Sequence, residues 1–477
     1  MIITFQEFEK HEQDRAKWLG TAIAQYMRSD EYKLALEADL YEKQQNTRIK
    51  EVDRLIYDMT GKAKKDFTKI NNQIPSNFFH RLITQRVSYS LGNGISFASK
   101  KRELQADSSV EVSDPTKDAL GTDFDDIAYR TGYNAVKHGV CYCFYNDGEY
   151  YVFPMTEFLP FLDEETGKIR AGVRFWSLEW RKRPIVVDLY EEDGYSRYVT
   201  AEKKYGLGAL ELREDKRAYK ETVNTTEADG EEVVGGDNYL VGETPTIPIA
   251  IMYGNKNHQS ALVGMKPNID AYDMIHSGYA NDLSECAQVY WIINNAQGMN
   301  DKDLTRFRDR LLLQHIAVTD SETPITPYTQ EIPYNSREAC LNRIRDCIYA
   351  DFGALDVKNI SANAVTATQI RAAYQSVDEE ADDFEYQVNE FVQQILALIG
   401  IEDDYPVIDR NRISNEKEET EMIMLAANYL DDRTIVSKLP FVSVDEVDGI
   451  LANKTANDQS SFELDESGNP DAGNRFA

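Results

Sequence analysis

Residues 366–399 read TATQIRAAYQSVDEEADDFEYQVNEFVQQILALI. Inside them, SVDEEADDFE (376–385) carries six acids in ten residues and no base. The apolar residues around it decide what it is. Ile370, Tyr374, Val377, Ala381, Phe384, Val388, Phe391, Ile395 and Leu398 recur in alternating steps of four and three, which is the period of one helix face. At 1.5 Å per residue such a helix runs about 50 Å. It has a continuous seam to bury, and Asp378, Glu379, Glu380, Asp382, Asp383 and Glu385 are left on its wet side. A disordered acidic tract would have no seam.

The rest of the chain is proportioned like a large folded protein. It has 477 residues, 42% hydrophobic and 11% aromatic, which suggests about two to four structural units. Asp and Glu number 82 against 52 Lys and Arg, a net charge of −30. That field repels nucleic acid and argues against a general DNA or anionic-membrane binder. It leaves room for a protein that handles DNA without gripping it. MIITFQEFEKHEQDR turns charged at once, unlike a secretory signal, and no apolar run reaches the roughly 18 residues of a membrane span. The five cysteines lack zinc-like pairing and fit reduced thiols. The sequons at Asn224, Asn359 and Asn453 are then expected to be accidental.

Upstream of the long helix, residues 5–60 read as charged helices, with Phe5, Phe8, Trp18, Ile23, Tyr26 and Met27 in a loose stripe. In INNQIPSNFFHRLITQRVSYSLGNGISFA (70–98), Asn77 is placed to cap a helix carrying Phe78, Leu82, Ile83, Val87 and Leu91, and Gly92-Asn93-Gly94 ends it. A helix over 125–138 leads into GVCYCFYNDGEYYVFPMTEFLPFLDEETGKIRAGVRFW, where the period falls to two. Asp147-Gly148 and Thr166-Gly167 are its hairpin turns. Strands are expected at 183–190 and 195–201, and 206–240 reads as an exposed hairpin or mobile excursion. Pro267 is expected to open a helix reaching Ile293. LLLQHIAVTD and PITPYTQEI look strand-like, and Asn335 with Glu338 resembles a capping box. Shorter helices start at Ser414, Thr434 and Ser443, and the last 20 or so residues read as a flexible tail.

A search for chemistry along the chain finds little. There is no phosphate-binding G-x-x-x-x-G-K-[ST], no H-E-x-x-H, no C-x-x-C and no G-x-S-x-G. His138, Cys141 and Cys143 offer three zinc ligands but no fourth, and a buried strand with small thiols explains them more simply. Acids at Asp123, Asp125 and Asp126 suit a divalent cation or a helix start. Those at 378–385 suit Mg²⁺ or a solvated face. Arg306, Arg308 and Arg310 in RFRDR could meet phosphate, diluted by Asp309. No nucleophile, base and orienting group assemble, so neither catalysis nor a metal or cofactor is expected.

INNQIPSNFFHRLITQRVSYSLGNGISF nevertheless resembles a segment near the start of portal proteins from long-tailed bacteriophages. In that family an N-N-R-I-like start and an N-F helix lead to a Y-L-x-G-x-P-I-like end. Here Gln73 replaces the basic residue, Ser90 interrupts the apolar pair, and Asn93-Gly94 replaces G-K-P. Four more blocks follow in the family's order: the paired hairpins, PTIPIAIMYGNKNHQSAL with NIDAYDMIHSGYANDL, the long acidic helix, and SNEKEETEMIMLAANYLDDRTIVSKLPFVSVDEVDGIL. Together they span about residues 30–455.

The resemblance implies a helix-rich α+β fold and a ring of about twelve copies at one capsid vertex. Double-stranded DNA would be packaged and released through it without sequence specificity. The implied parts are a wing over 1–264 and 366–413 (the long helix and following strand), stem helices at 265–293 and 335–353, and a clip at 294–334. A tunnel loop at 354–365, a crown at 414–455 and the tail at 456–477 complete it. Implied partners are the terminase large subunit, which would hydrolyse the ATP, head-completion or adaptor proteins, and major capsid and scaffolding proteins. No membrane is involved: the protein would reside in the virion after assembly in the host bacterial cytoplasm. On this scheme Asn359, Ser361, Asn363 and Thr366 face DNA. Arg337, Arg343 and Arg345 offer sparse phosphate contacts, and Arg306, Arg308 and Arg310 face the terminase. Asp378, Glu379, Asp382 and Asp383 would repel DNA from a tunnel or wet groove. Another ring- or shell-forming phage component, or a carboxylate-dependent metalloenzyme, is the alternative.

Overall fold

The computed structural model describes residues 3–57, 61–66, 70–99, 115–177, 185–200, 210–226, 230–286, 290–293, 302–303, 305–306, 325–328, 334–356, 367–412, 416–439, 442, 447 and 449–454. Helices and strands are mixed, as an α+β fold requires. Two units divide the chain: Met1–Asp356 with Ser376–Arg410, and Val357–Gln375 with Asn411–Ala477.

The first unit opens with β1 (Ile3–Thr4), α1 (Phe5–Glu9), α2 (Arg15–Tyr26), α3 (Asp30–Glu42), α4 (Thr47–Lys50), β2 (Leu55–Tyr57) and β3 (Ala63–Lys65). Ser29 caps α3 by accepting the Tyr32 amide at 3.2 Å, with Asp30 and Glu31 in the favourable first turn. Next come α5 (Phe78–Leu91), β4 (Ile95–Ser99), α6 (Pro115–Leu120) and α7 (Phe124–His138). Asn77 occupies the position before α5, but its side chain makes no capping bond.

The period-two region forms β5 (Val140–Asn146), β6 (Glu149–Pro154), β7 (Phe158–Leu162), β8 (Ile169–Ser177), β9 (Ile185–Glu191), β10 (Gly194–Thr200), β11 (Leu210–Arg217), β12 (Lys220–Thr226), β13 (Gly230–Asp237), β14 (Leu240–Val241), β15 (Thr244–Pro245) and β16 (Ile249–Tyr253). Asp147 and Gly148 both take positive φ, 48° and 88°, so the β5–β6 turn has the twist that hairpins favour. Strands β7 to β11 form an antiparallel meander, with β1 added in parallel beside β7. The stretch 206–240 is therefore not all excursion. Strand β11 joins this sheet, β12 pairs with β13, and Tyr219 and Tyr239 are buried. A second sheet runs β16-β5-β6.

Two cores follow from these faces. Phe8, Leu19 and Ile23 of the first helices pack on Phe161, Val173, Val187 and Leu189 of the large sheet. The other core joins α5, α7 and the small sheet to α10 (Ala367–Ile399), which follows α8 (Leu262–Cys286), β17 (Tyr290–Ile293), β18 (Ile325–Tyr328) and α9 (Tyr334–Phe352). Val377, Ala381, Phe384, Val388, Phe391, Val392, Ile395 and Leu396 of α10 are all buried. At Gly132 in α7 a Cβ would lie 2.9 Å from the Phe384 ring, so only glycine lets these helices approach so closely. Gln394 of α10 serves the exposed edge of β16. Its amide accepts Ile251 N–H at 2.9 Å and donates to Ile251 C=O at 3.1 Å, closing an edge that would otherwise invite pairing.

The α8 region departs from expectation at both ends. The helix begins at Leu262, not at Pro267, because Ser260 Oγ accepts the Leu262 amide at 3.2 Å. Pro267 sits in the second turn. At the other end, Tyr290–Ile293 is a strand paired with Ile325–Tyr328, since aromatic and β-branched residues suit a pleated pair better than a helix end. Along α8 runs a ladder: Ser76, Ile74 and Asn72 donate their amides to Asp273 (2.9 Å), Ser277 (3.0 Å) and Asn281 (2.7 Å). Two extended residues advance about 6.6 Å and four helical residues about 6 Å, so the two repeats stay in register. Three alternate amides of the 70–77 segment are thus satisfied by side chains of α8 rather than by a strand partner.

A buried charge cluster ties α3 to α7. Asp39 meets His138 Nε2 at 2.9 Å and Lys137 Nζ at 2.8 Å. Burial alone would raise the Asp39 carboxyl, but hydrogen bonds from His138 and Lys137 hold it down to about 2. Burial pushes the His138 imidazole below its usual range. Below about pH 6.5 the unfolded chain binds the histidine proton first, and below about pH 4 the aspartate proton. Both therefore remove stability on acidification. The melting temperature should fall from pH 6.5 downward, and the gap between wild type and Asp39→Asn should close near pH 2. Calorimetry across that range checks this; a gap that widens on acidification contradicts it.

In the second unit α11 (Glu416–Ala426) is followed by α12 (Asp432–Ser437). Asp431, not Thr434, caps α12, accepting the Thr434 amide at 3.1 Å. Ser414, Ser443 and the tail lie outside the described residues.

Candidate functional site

The acidic stretch is largely a docking face within its own unit. Asp378, Asp382 and Glu385 stand at i, i+4 and i+7 on α10, hence on one stripe. All three converge on Arg410, just past β19 (Asp404–Ile408). The guanidinium fork holds Glu385 by two bonds of 2.8 Å and reaches Asp378 at 3.0 Å, with Asp382 also paired. Hydrogen bonding to Glu385 leads the causes that raise the Arg410 pKa, so the guanidinium stays charged. Tyr89 of α5 donates its hydroxyl to Asp378 at 2.6 Å.

The topology explains why these groups meet. Strand β19 pairs antiparallel with β4, which follows α5 after the Gly94 turn, where φ is 78°. Arg410 and Tyr89 are thereby delivered to the same face of α10. The other acids are also in use: Glu380 meets Arg86 at 2.8 Å, and Asp383 accepts the Lys256 amide at 3.2 Å. Glu379 is exposed.

The alternative ligand sets are engaged in the same way. Asp125 accepts the Ile95 amide at 3.1 Å and pairs with Lys117 at 2.9 Å, fastening α7 to β4 and α6. His138 serves Asp39, while Cys141 and Cys143 are buried on β5, and burial pushes the Cys143 thiol up to about 12. Among the described residues, no three His, Cys, Asp or Glu side chains gather as a metal site, and no helix is long and apolar enough to cross a membrane.

Of the stem arginines, Arg337 pairs with Asp282 of α8, and Arg345 pairs with Asp356 at 3.0 Å. Arg343 is exposed on α9, and Arg306 is exposed in a short helical piece. Arg308, Arg310, Asn359, Ser361, Asn363 and Thr366 lie outside the described residues. Sequence reasoning missed Arg410, Arg86 and the α8 ladder. Their partners lie tens to hundreds of residues away, and no local pattern links them.

Comparison with known proteins completes the description. The family described as "Phage portal protein, SPP1 Gp6-like" matches residues 37–460. The portal protein of Bacillus phage SPP1 is 24% identical over 452 residues, 89% of this chain and 84% of that protein. The portal protein of Clostridium phage phiCD119 is 23% identical over 238 residues, 46% of this chain and 52% of that one. The match covers the 70–97 motif, the α8–α9 pair and the acidic helix alike, and the chain belongs to the SPP1 Gp6-like family of phage portal proteins.

Proposed function

We propose that this chain assembles into a ring at one capsid vertex and forms the channel through which double-stranded DNA is packaged and later released. The observation that carries the reading is the family match over 37–460, which embraces both units. On this reading the wing comprises 1–264 and 366–413, the stem 265–293 and 335–353, the clip 294–334, the tunnel loop 354–365 and the crown 414–455. The clip is the docking face for the terminase and later for head-completion proteins, and Arg306, Arg308 and Arg310 serve it. A net charge of −30 suits a conduit, because a basic lining would hold the phosphate backbone.

The local ion pairs favour some of these side chains over others for contact with DNA. Arg337 and Arg345 are held in ion pairs, so exposed Arg343 is the stem arginine assigned to phosphate contact. Of Asp378, Glu379, Asp382 and Asp383, exposed Glu379 is assigned the repelling role. Asn359, Ser361, Asn363 and Thr366 keep their assignment to the tunnel loop, whose small polar residues suit contact without base readout. The test is DNase-protected DNA in proheads built with and without the protein. DNA filling should require it, and Glu379→Lys should reduce the protected DNA severalfold while rings still form. Equal filling of proheads lacking the protein would overturn the reading.

A further inference from the structure

Arg86 lies near the middle of α5, with its side chain only 9% exposed. It does three things at once. It donates to the Phe352 carbonyl at the last residue of α9, lies over the Phe352 ring at 4.1 Å, and pairs with Glu380 of α10 at 2.8 Å. Its neighbours on α5 repeat the arrangement. Gln85 donates to the Leu355 carbonyl at 3.1 Å, and Tyr89 bonds Asp378 at 2.6 Å. One turn of α5 therefore holds the outgoing end of α9 and the face of α10 together. The two helices also touch: at Gly353, where φ is 66°, a Cβ would lie 2.6 Å from Glu380 Cγ. A cavity of about 10 Å³, the size of one water, sits among Arg86, Phe352, Gly353, Val377 and Ala381.

Desolvation makes this joint conditional. Burial works against the Arg86 charge, and the negative charge of Glu380 opposes that effect. The α9 carbonyl, at the negative end of a helix dipole, is a second favourable partner. Losing either partner weakens the hold on the other, because the same buried guanidinium serves both.

We propose that Arg86 is the positioning residue that makes the end of α9 and the face of α10 shift as one body when DNA moves past. This rests on the portal reading for the DNA step alone, because the coupling itself can be read in the isolated assembly. Glu380→Gln keeps the side-chain shape against Gly353 and removes only the charge that Arg86 uses. Hydrogen–deuterium exchange on the full-length protein should then show about tenfold faster exchange in both 377–383 and 349–356. Arg86→Lys, which keeps the charge but loses the planar group lying over the Phe352 ring, should loosen 349–356 more than 377–383. Acceleration confined to 377–383 in Glu380→Gln would overturn the coupling. In proheads, Glu380→Gln should lower DNase-protected DNA severalfold with ring formation unchanged. Normal filling by that loosened variant would overturn the role in DNA movement. Absence of DNA filling that depends on the wild-type protein would instead defeat the portal reading and leave the exchange result standing.

Discussion

Phe391→Ala should lower the free energy of unfolding by about 3–5 kcal/mol, with a similar loss for Phe384→Ala. Phe391 is fully buried in the α10 seam, between Val388, Val392 and Ile395 and the helices and small sheet of the same core. Truncation there forfeits the transfer energy of the ring and leaves a cavity that rigid neighbours cannot close. Phe384 adds a geometric penalty, because Gly132 is shaped to its ring. The control is Glu379→Ala on the exposed side of the same helix, which should change stability by no more than about 0.5 kcal/mol. Urea titrations with unchanged m-values would measure both. A loss under about 1 kcal/mol for Phe391→Ala would mean that the seam does not organise the fold.

Arg410→Ala should cost about 2–4 kcal/mol at neutral pH, through loss of the pairing and the repulsion left behind. Asp378 and Glu385 are partly buried beside it, whereas Asp382 is 70% exposed and contributes little. The loss should shrink as salt is added, because screening weakens both the pairing and the repulsion left behind. Arg410→Lys keeps a charge but not the two-pronged hold on Glu385, so its loss should be about half as large. Chemical denaturation of the three proteins at low and high salt distinguishes the cases. An Arg410→Ala penalty that does not change with salt would show that packing of the arginine stem, not charge, is what the site supplies.

How much of this was legible in the chain depended on distance along it. The 33-residue α10 was readable because its seam repeats without interruption, and the Asp147-Gly148 turn because two positive φ values leave few residue choices. Pro267 misleads, since a proline at a helix start is common but Ser260 supplies a cap about two turns earlier. The helical stripe leading into Tyr290–Ile293 predicts helix there, yet its partner strand lies more than 30 residues on. The six acids illustrate the same limit. Their periodicity placed them on one helix face, but not that Arg410 and Arg86 would occupy most of it. Which charges are neutralised is a property of topology, here of β4 and β19 pairing across some 300 residues.

The central claim is assembly around an axis, and imaging of the purified full-length protein by negative-stain electron microscopy tests it most directly. The expected result is a population of rings of about twelve subunits with a stain-filled central hole wide enough for a DNA duplex. A compact monomer that never closes into a ring at any concentration would contradict it.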